Sequence, residues 1–478
     1  MTSVTASELE LLHRTATEQA ALVRAGEVSA RELVQASLTA IERADRELGA
    51  FITLRAEEAL AEADAIAPGD PRPLCGVPIG IKDFLTAVTG VRTTHGSRAF
   101  GDWVPDHDSA HVRRLREAGA IVVGKTNTPE LAMRPVTDSA RFGPTRNPHD
   151  LRLSAGGSSG SSAAAVAAEL VALCDGSDLG GSIRIPASCC GVVGMRPSTG
   201  RVSIGPDFGD VAGGMGVDGP IARTVLDAAV ALDAMSGYEP GDHHWLASPP
   251  QPFAEAAQRA PERLTVHLAL DAPLGVPVER EPREAARAAA NALAQLGHDV
   301  HERAPDWDDA AFPPAWELGA TGFVQHLVRV IERLHGRPMD ADGLEPWMRG
   351  WVLAAPPVPV ADYFEAVEAL MAFARRVMRS WPPGGVLVTP TLTRLPIELG
   401  AAEAEPGVSD SAVRFSAFLR VFNVTGQPAI SLPLAQTADG TPVGVQVVGP
   451  PGRDDLVLAV AGELERAVGF RPRRETAS

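Results

Sequence analysis

The stretch from Ser154 to Arg201 constrains the fold of this chain more than any other. It contains two glycine- and serine-rich loops, GGSSG at 156–160 and DLGGSIR at 178–184, with a predicted alanine-rich helix and short apolar strand between them. Glycine lets the backbone adopt positive φ or approach another group closely. A glycine pair before a serine therefore indicates a loop whose amides point at a ligand and whose hydroxyl is exposed. Because core-like sequence separates Ser158 from Ser182, 24 residues later, the stretch is not a linker.

Further motifs surround this stretch. GVPIGIKD lies upstream at 76–83 and CGVVGMRP follows at 190–197, while FNVTGQPA at 422–429 and PVGVQ at 442–446 come later. In order and spacing these motifs resemble the amidase signature family, whose members cleave carboxamides with a Ser-Ser-Lys triad. The resemblance covers about residues 60–235 and 385–470 and fades between 240 and 380.

The resemblance implies three catalytic side chains. Ser182 would be the nucleophile, Ser158, which the family holds in a cis peptide, would pass protons, and Lys82 would be the base. Lys82 accepts a proton only when neutral, so its pKa must fall from about 10.4 to roughly 7–8, at a cost of about 4 kcal/mol. Burial beside the preceding apolar strand is the expected cause. A lysine at a strand end is ordinarily a surface residue, and its conjunction with both serine loops is what favours catalysis.

The resemblance also assigns supporting roles within the second loop. Asp178 and Arg184 would brace it on either side of Ser182. Backbone amides would form the oxyanion hole, where missing side chains let donors reach the developing charge. The expected donors are the amides of Leu179, Gly180, Gly181 and Ser182.

Two residues are candidates for substrate binding. PELAM at 129–133 aligns with a family segment that lines the acyl pocket, which implicates Met133. Arg134 follows at a position that is often small in the family. It is either an ion-paired arginine near the pocket rim or a residue that favours substrates carrying a carboxylate.

Competing motifs fail on their context. GGSSG fits the G-x-S-x-G elbow of α/β-hydrolases, but NPHDLR at 147–152 is not the apolar strand that this elbow requires. No lysine follows these glycines, as a P-loop requires. A thiol nucleophile at Cys189 or Cys190 would need a nearby histidine or carboxylate, and His243–His244 lacks a third metal ligand at suitable spacing.

The pattern of apolar residues predicts an α/β fold. Val77, Ile79 and Ile81 alternate with the period of a strand and place Lys82 on its other side. Apolar runs at 120–124 and 170–174 are typical of strands buried on both faces. With the family resemblance, we expect the amidase signature fold, a large mixed and mostly parallel central sheet covered by helices on both faces. A single domain, 1–478, would comprise a helical layer (1–66), a catalytic core (67–235), a variable substrate-shaping region (236–380) and a C-terminal part of the core (381–478).

Charge and composition exclude several classes of function. The net charge of −17 argues against a nucleic-acid partner, which needs a basic surface. Four cysteines do not make a disulfide framework, and the apolar runs are too short for a membrane span. The acidic N-terminal region does not resemble a secretory signal, so we expect a cytoplasmic protein. No metal or organic cofactor is expected, and a homodimer is left open.

These inferences predict a free-standing amidase that hydrolyses a small or medium carboxamide to an acid plus ammonia or an amine. The first alternative is the glutaminase subunit of a tRNA-dependent amidotransferase. That subunit typically has Gln after the GSIR arginine, whereas this chain has Ile185. A silent binding protein on the same fold is the second alternative, and the intact Ser-Ser-Lys set argues against it.

Overall fold

The computed structural model describes residues 6–402 and 410–470, in which strands and helices alternate through most of the chain. The strands are β1 (Phe51–Leu54), β2 (Pro78–Lys82), β3 (Ile121–Thr126), β4 (Asp138–Ser139), β5 (Gly143–Pro144), β6 (Arg146–Asn147), β7 (Asp150–Ser154), β8 (Leu173–Asp178), β9 (Val193–Arg196), β10 (Val217–Ala222), β11 (Thr265–Leu268), β12 (Asp299–Glu302), β13 (Val386–Pro390), β14 (Ala429–Gln436) and β15 (Pro442–Val448).

The α-helices connect and cover these strands. They are α1 (Ala6–His13), α2 (Ala16–Ala25), α3 (Ala30–Leu48), α4 (Ala56–Asp64), α5 (Ala110–Glu117), α6 (Gly160–Ala167), α7 (Arg184–Cys190), α8 (Val225–Met235), α9 (Phe253–Gln258), α10 (Arg280–Gln295), α11 (Phe312–His335), α12 (Pro346–Arg349), α13 (Val360–Arg379), α14 (Asp410–Ser416), α15 (Arg420–Thr425) and α16 (Asp454–Val468). Short 3-10 turns lie at Glu130–Ala132, Pro273–Gly275 and Ala341–Gly343, and a π turn lies at Gly350–Ala354.

One mixed sheet of eleven strands organises the molecule, in the order β1-β3-β2-β8-β10-β9-β14-β15-β13-β11-β12. The mixed α/β architecture is as predicted, but the expectation of a mostly parallel sheet is wrong. Six of the ten neighbouring pairs are antiparallel. Parallel pairing is confined to β3-β2-β8 and β13-β11-β12. Apolar runs show that a strand is buried on both faces, and they do not fix its direction.

Helices cover both faces of the sheet, as predicted. In β3, Val122 belongs to one apolar cluster, whereas Ile121 and Val123 belong to another. The first cluster includes residues of α8, α10 and α16, and the second includes residues of α3, α6 and α7. Successive side chains of a strand point to opposite faces, so these clusters lie on opposite sides of the sheet.

The N-terminal region differs from the all-helical layer that we predicted for residues 1–66, of which residues 1–5 lie outside the described ranges. Helix α3 ends at Leu48 and is capped by Gly49, whose φ of 70° is left-handed. The next residues, FITL at 51–54, form the edge strand β1, antiparallel to β3. Aromatic and β-branched residues favour a strand here.

The region between 306 and 380 supplies two long helices, α11 and α13. Phe323 of α11 packs in one cluster with Phe84 and Leu131, and so brings this region to the catalytic core. No helix within 6–402 and 410–470 is both long and apolar enough to cross a bilayer.

Candidate active site

Lys82 is the last residue of β2, and its side chain is 1% exposed. Its Nζ lies 2.7 Å from Ser158 Oγ, 2.9 Å from Ser159 Oγ and 2.8 Å from Ser177 Oγ. Ser158 and Ser159 belong to the first glycine-rich loop, and Ser177 lies at the end of β8. The strand therefore carries Lys82 into the space between the two loops.

Burial is the main influence on the Lys82 amine and lowers its pKa to about 7, although Asp175, Asp218 and Asp178 oppose this effect. Desolvation disfavours the charged form of a lysine. A substantial fraction of Lys82 is therefore neutral near pH 7 and has a lone pair that can accept a proton.

The three serine hydroxyls around Lys82 can all form hydrogen bonds with a neutral amine. Ser159 Oγ lies 3.3 Å from the Ser177 carbonyl oxygen and can donate to it, which leaves Ser159 Oγ to accept from Nζ. A neutral amine has two N–H donors and one lone pair. One of Ser158 and Ser177 then accepts from Nζ, and the other donates to it.

Ser158 lies in a rigidly held loop, and the Gly157–Ser158 peptide bond is cis. The Ser158 carbonyl accepts hydrogen bonds from the Thr128 and Thr137 hydroxyls. A Cβ on Gly157 would lie 2.6 Å from the backbone of Val136, so this position accepts only glycine without rearrangement. These contacts fix the Ser158 side chain beside Lys82.

Ser182 is partly exposed and borders the same pocket as Ser158. The two loops are joined by the Ser159 amide, which donates to the Ser182 carbonyl at 3.1 Å. Within the described residues, no hydrogen bond links Ser182 Oγ to Ser158 Oγ. Catalytic hydrogen bonds often shorten only when substrate is bound, so this geometry remains compatible with proton transfer between the two serines.

The amides of the second loop do not all face the same way. The Gly181 amide donates to Asp178 Oδ1 at 2.8 Å, so the expectation that it contributes to the oxyanion hole is revised. Within residues 6–402 and 410–470, the amides of Leu179, Gly180 and Ser182 have no hydrogen-bond partner. These three remain available to a developing oxyanion.

A buried ion pair between Arg184 and Asp178 stabilises the second loop. Arg184 Nη2 lies 2.8 Å from Asp178 Oδ1, and both side chains are fully buried. Burial opposes ionisation of Asp178, but the Arg184 charge and hydrogen bonds outweigh it and hold the pKa of this carboxyl well below its usual range. Arg184 also donates to Asn423 Oδ1 and to Gln446 Oε1. The predicted bracing pair thus joins the loop to the C-terminal part of the core.

A second buried network, which the sequence did not reveal, lies behind Lys82. Asp175 accepts the Lys82 backbone amide at 2.6 Å and lies 3.1 Å from His111 Nε2. On the other side of the imidazole, His111 Nδ1 lies 3.7 Å from Asp218 Oδ2, and Asp218 borders the pocket. The one signal in the sequence was Asp175 itself, a charged residue that directly follows the apolar run at 170–174.

Asp218→Asn should extend activity to lower pH. Asp218 favours protonated Lys82, so removing its charge should lower the pKa of Lys82. The acid limb of the kcat/KM profile should then move down by about half a pH unit or more. Profiles of wild type and variant measure the shift. Asp233→Asn is the control that should leave the limb in place, since this carboxylate of α8 accepts the Phe253 amide at the start of α9. An acid limb that does not move, or that moves to higher pH, would contradict the assignment of this limb to Lys82.

The pocket beside Ser158 and Ser182 encloses about 580 Å³ of empty space, including its open mouth. Its wall is dominated by apolar side chains, and the substrate-binding candidate Met133 is among them. The apolar lining residues are Phe84, Leu85, Leu131, Ala132, Met133, Leu179, Ile204, Phe208, Val211, Val217 and Phe323. Such a wall suits an apolar portion of a substrate.

Arg134 does not line this pocket within the described part of the chain. Its Nη1 lies 3.2 Å from both carboxylate oxygens of Asp138, and its guanidinium lies 5.2 Å from the Trp347 ring. This arrangement favours the ion-paired interpretation over recognition of a substrate carboxylate.

Arg134→Ala should therefore lower kcat/KM for neutral and anionic amides by the same factor, since a structural pair is lost rather than a substrate contact. Kinetics on a matched neutral and anionic amide measure this. A loss at least about tenfold larger on the anionic substrate, as expected when a charged hydrogen bond is removed, would restore the carboxylate interpretation.

The structure does not support a thiol nucleophile or a metal site among the described residues. Burial raises the pKa of the Cys189 and Cys190 thiols, which therefore stay protonated. All four cysteines are free and buried. In the ranges that the structure describes, no group of three or more His, Cys, Asp or Glu side chains is arranged to hold a metal ion.

The chain is similar to known proteins over most of its length. The amidase family model matches residues 32–458. The chain belongs to the amidase signature family. It is thus a hydrolase that acts on carbon–nitrogen bonds of amides, and the substrates of such amidases are small molecules.

Individual relatives cover nearly the whole of this amidase. It is 39% identical to the 6-aminohexanoate-cyclic-dimer hydrolase of Paenarthrobacter ureafaciens, over 97% of this chain and 96% of that protein. A solved structure of 6-aminohexanoate cyclic dimer hydrolase complexed with substrate matches with a TM-score of 0.92 and 37% identity, over 97% of this chain and 99% of that one. A glutamyl-tRNA(Gln) amidotransferase subunit of Moorella thermoacetica is 34% identical, over 98% of this chain and 99% of that protein.

Proposed function

We propose that this chain is a free-standing amidase that cleaves small or medium-sized carboxamides through a Ser182 acyl-enzyme, with Ser158 and Lys82 as proton carriers. The observation that supports it best is a buried Lys82, with a pKa near neutrality, 2.7 Å from Ser158 at the wall of a pocket that Ser182 also borders.

In the first half of the reaction, Ser182 Oγ attacks the amide carbonyl carbon. Its proton passes to Ser158 while the Ser158 proton passes to neutral Lys82, so one proton ends on Nζ. The amides of Leu179, Gly180 and Ser182 then stabilise the negative carbonyl oxygen.

In the second half, the proton returns from Lys82 through Ser158 to the amine nitrogen as the carbon–nitrogen bond breaks. The amine leaves neutral, and the acyl group stays on Ser182. A water molecule then attacks the ester and passes a proton through Ser158 to Lys82. As the bond between the acyl carbon and Ser182 Oγ breaks, that proton returns through Ser158 to Ser182 Oγ and the acid is released. Lys82 ends neutral, as it began.

The pocket supports an aliphatic or aromatic group on one half of the substrate. Its wall offers few charged groups, since Asp178 is engaged by Arg184 and the remaining acid is Asp218. The relative named for the cyclic dimer of 6-aminohexanoate suggests medium-sized aliphatic amides, cyclic ones included.

A release assay tests this proposal. Ammonia and amine production should be measured over aliphatic, aromatic and peptide amides and the cyclic dimer of 6-aminohexanoate, with the Ser182→Ala variant as control. Turnover of at least one apolar amide by the wild type alone is the expected result. If no amide is hydrolysed and a serine-directed fluorophosphonate does not label Ser182, the proposal is wrong.

The glutaminase-subunit alternative is favoured by amidotransferase subunits that are 34% and 36% identical to this chain. Ile185 at the position where that subunit typically has Gln argues against it. Glutamine hydrolysis that appears only after partner chains are added would favour this alternative, whereas activity of the purified chain alone on apolar amides would exclude it.

A further inference from the structure

Arg420 lies beside the nucleophile loop, in a segment that already holds that loop. It begins α15 between two residues that contact the loop's anchor. Before it, the Leu419 carbonyl accepts a hydrogen bond from Arg184 at 3.2 Å. After it, Asn423 Nδ2 donates to the Asp178 carbonyl at 3.0 Å. The backbone of Arg420 is thus fixed relative to Ser182.

Its side chain lies over the glycine pair. The Arg420 guanidinium lies over the ring of Trp316 from α11, 5.4 Å from the ring centre. A Cβ placed on Gly180 would lie 3.4 Å from Trp316 Cζ2 and 3.8 Å from Arg420 Cγ. Both side chains therefore cover Gly180, two residues before the nucleophile, and neither borders the apolar pocket described above.

Among the side chains that the structure describes, the guanidinium has no partner of opposite charge. In the described ranges it makes no hydrogen bond and lies within 4.0 Å of no carboxylate, whereas Arg134 and Arg184 are each paired with an aspartate. Burial lowers the pKa of Arg420 to about 10, opposed by the more distant Glu317, so the side chain is still cationic at neutral pH. Its five N–H donors form a planar fork that fits a carboxylate.

We propose that Arg420 binds a carboxylate on the half of the substrate that lies outside the apolar pocket. The preferred substrates are then amides with an apolar group on one side of the scissile bond and a carboxylate on the other. This inference rests on the proposed Ser182 chemistry and adds a substrate class to it. A guanidinium–carboxylate pair beside the scissile bond would both orient the amide and satisfy the unpaired cation.

Matched substrate pairs test this. N-hexanoyl-6-aminohexanoate against N-hexylhexanamide places the carboxylate on the amine side, and adipic acid monoamide against hexanamide places it on the acyl side. Charged hydrogen bonds are typically strong enough for a preference of about tenfold or more. We expect the wild type to favour the anionic member of at least one pair by this factor in kcat/KM.

Arg420→Met should abolish that preference while changing kcat/KM for the neutral member by less than about twofold. Arg420→Lys keeps the positive charge but lacks the planar guanidinium, so it should retain part of the preference for the anionic member. Arg134→Met serves as the matched control. It removes an arginine that is paired with an aspartate and should lower kcat/KM for both members of a pair by the same factor. No preference in the wild type, or an equal loss on both members in Arg420→Met, would overturn the proposal.

Labelling with a fluorophosphonate separates this failure from failure of the chemistry. If Ser182 is labelled and neutral amides are hydrolysed but Arg420→Met changes nothing selectively, the carboxylate assignment alone is wrong. If Ser182 is not labelled and no amide is hydrolysed, the proposed function itself is wrong.

Discussion

Replacement of Ser182 by alanine is expected to lower kcat for amide hydrolysis by about 10⁴-fold or more, because no acyl-enzyme can form. The fold should be unaffected. The side chain is partly exposed, and within the described residues its hydroxyl makes no hydrogen bond, so only an oxygen atom is lost. Steady-state kinetics and the thermal unfolding midpoint of wild type and variant measure the two effects.

Covalent labelling identifies the nucleophile independently of turnover. A fluorophosphonate should modify Ser182, as mapped by peptide mass spectrometry, and Ser182→Ala should remain unlabelled. Ser236→Ala, at the end of α8, is a control that should label like the wild type. An adduct on Ser158 or Cys190 would show that the triad is wrongly assigned.

Lys82→Ala should damage amide hydrolysis more than hydrolysis of a matched activated ester. An amine cannot leave as an anion and needs the proton that Lys82 returns, whereas a good ester leaving group departs with little such help. General acid–base assistance is commonly worth about 10²–10⁴-fold, so the difference between the two substrates should be of this order. Parallel kcat/KM measurements on an amide and an ester with the same acyl group provide the comparison.

The pH profile gives a second readout of Lys82. Because the base must be neutral and its pKa is about 7, wild-type kcat/KM should fall as the pH drops below about 7. This acid limb should disappear from the residual activity of Lys82→Ala. Lys125 offers the matched control, since it is the one other lysine in the sequence, is also buried and lies 2.6 Å from the Thr86 carbonyl. Lys125→Ala should lower amide and ester turnover alike. If Lys82→Ala lowers amide and ester turnover equally and keeps the acid limb, the role of Lys82 is structural.

Local sequence patterns were sufficient for much of the site. The alternation before Lys82 predicted β2 and the side of the strand on which Lys82 lies, because alternation depends only on consecutive residues. The resemblance to the amidase signature family predicted that Lys82 and Ser158 belong together, and the structure places Lys82 Nζ 2.7 Å from Ser158 Oγ. Their catalytic roles remain a proposal.

Features that depend on distant pairing were not predictable. His111 and Asp175 are 64 residues apart and meet only because α5 packs over the sheet. Strand direction likewise depends on how the connections return, which the apolar runs do not encode. Within the second loop, Gly181 lies three positions after Asp178, and only the folded turn shows that the Gly181 amide is directed at the Asp178 carboxylate.

The anchoring of the nucleophile loop also has a consequence for the order of events during translation. Arg184 is bound by Asn423 and Gln446, which lie 239 and 262 residues further along the chain. A ribosome that has synthesised the whole signature stretch has therefore not yet made the residues that lock it. The hydrolytic centre is completed late, and a prematurely terminated chain lacks the partners that keep a buried arginine and its loop in place.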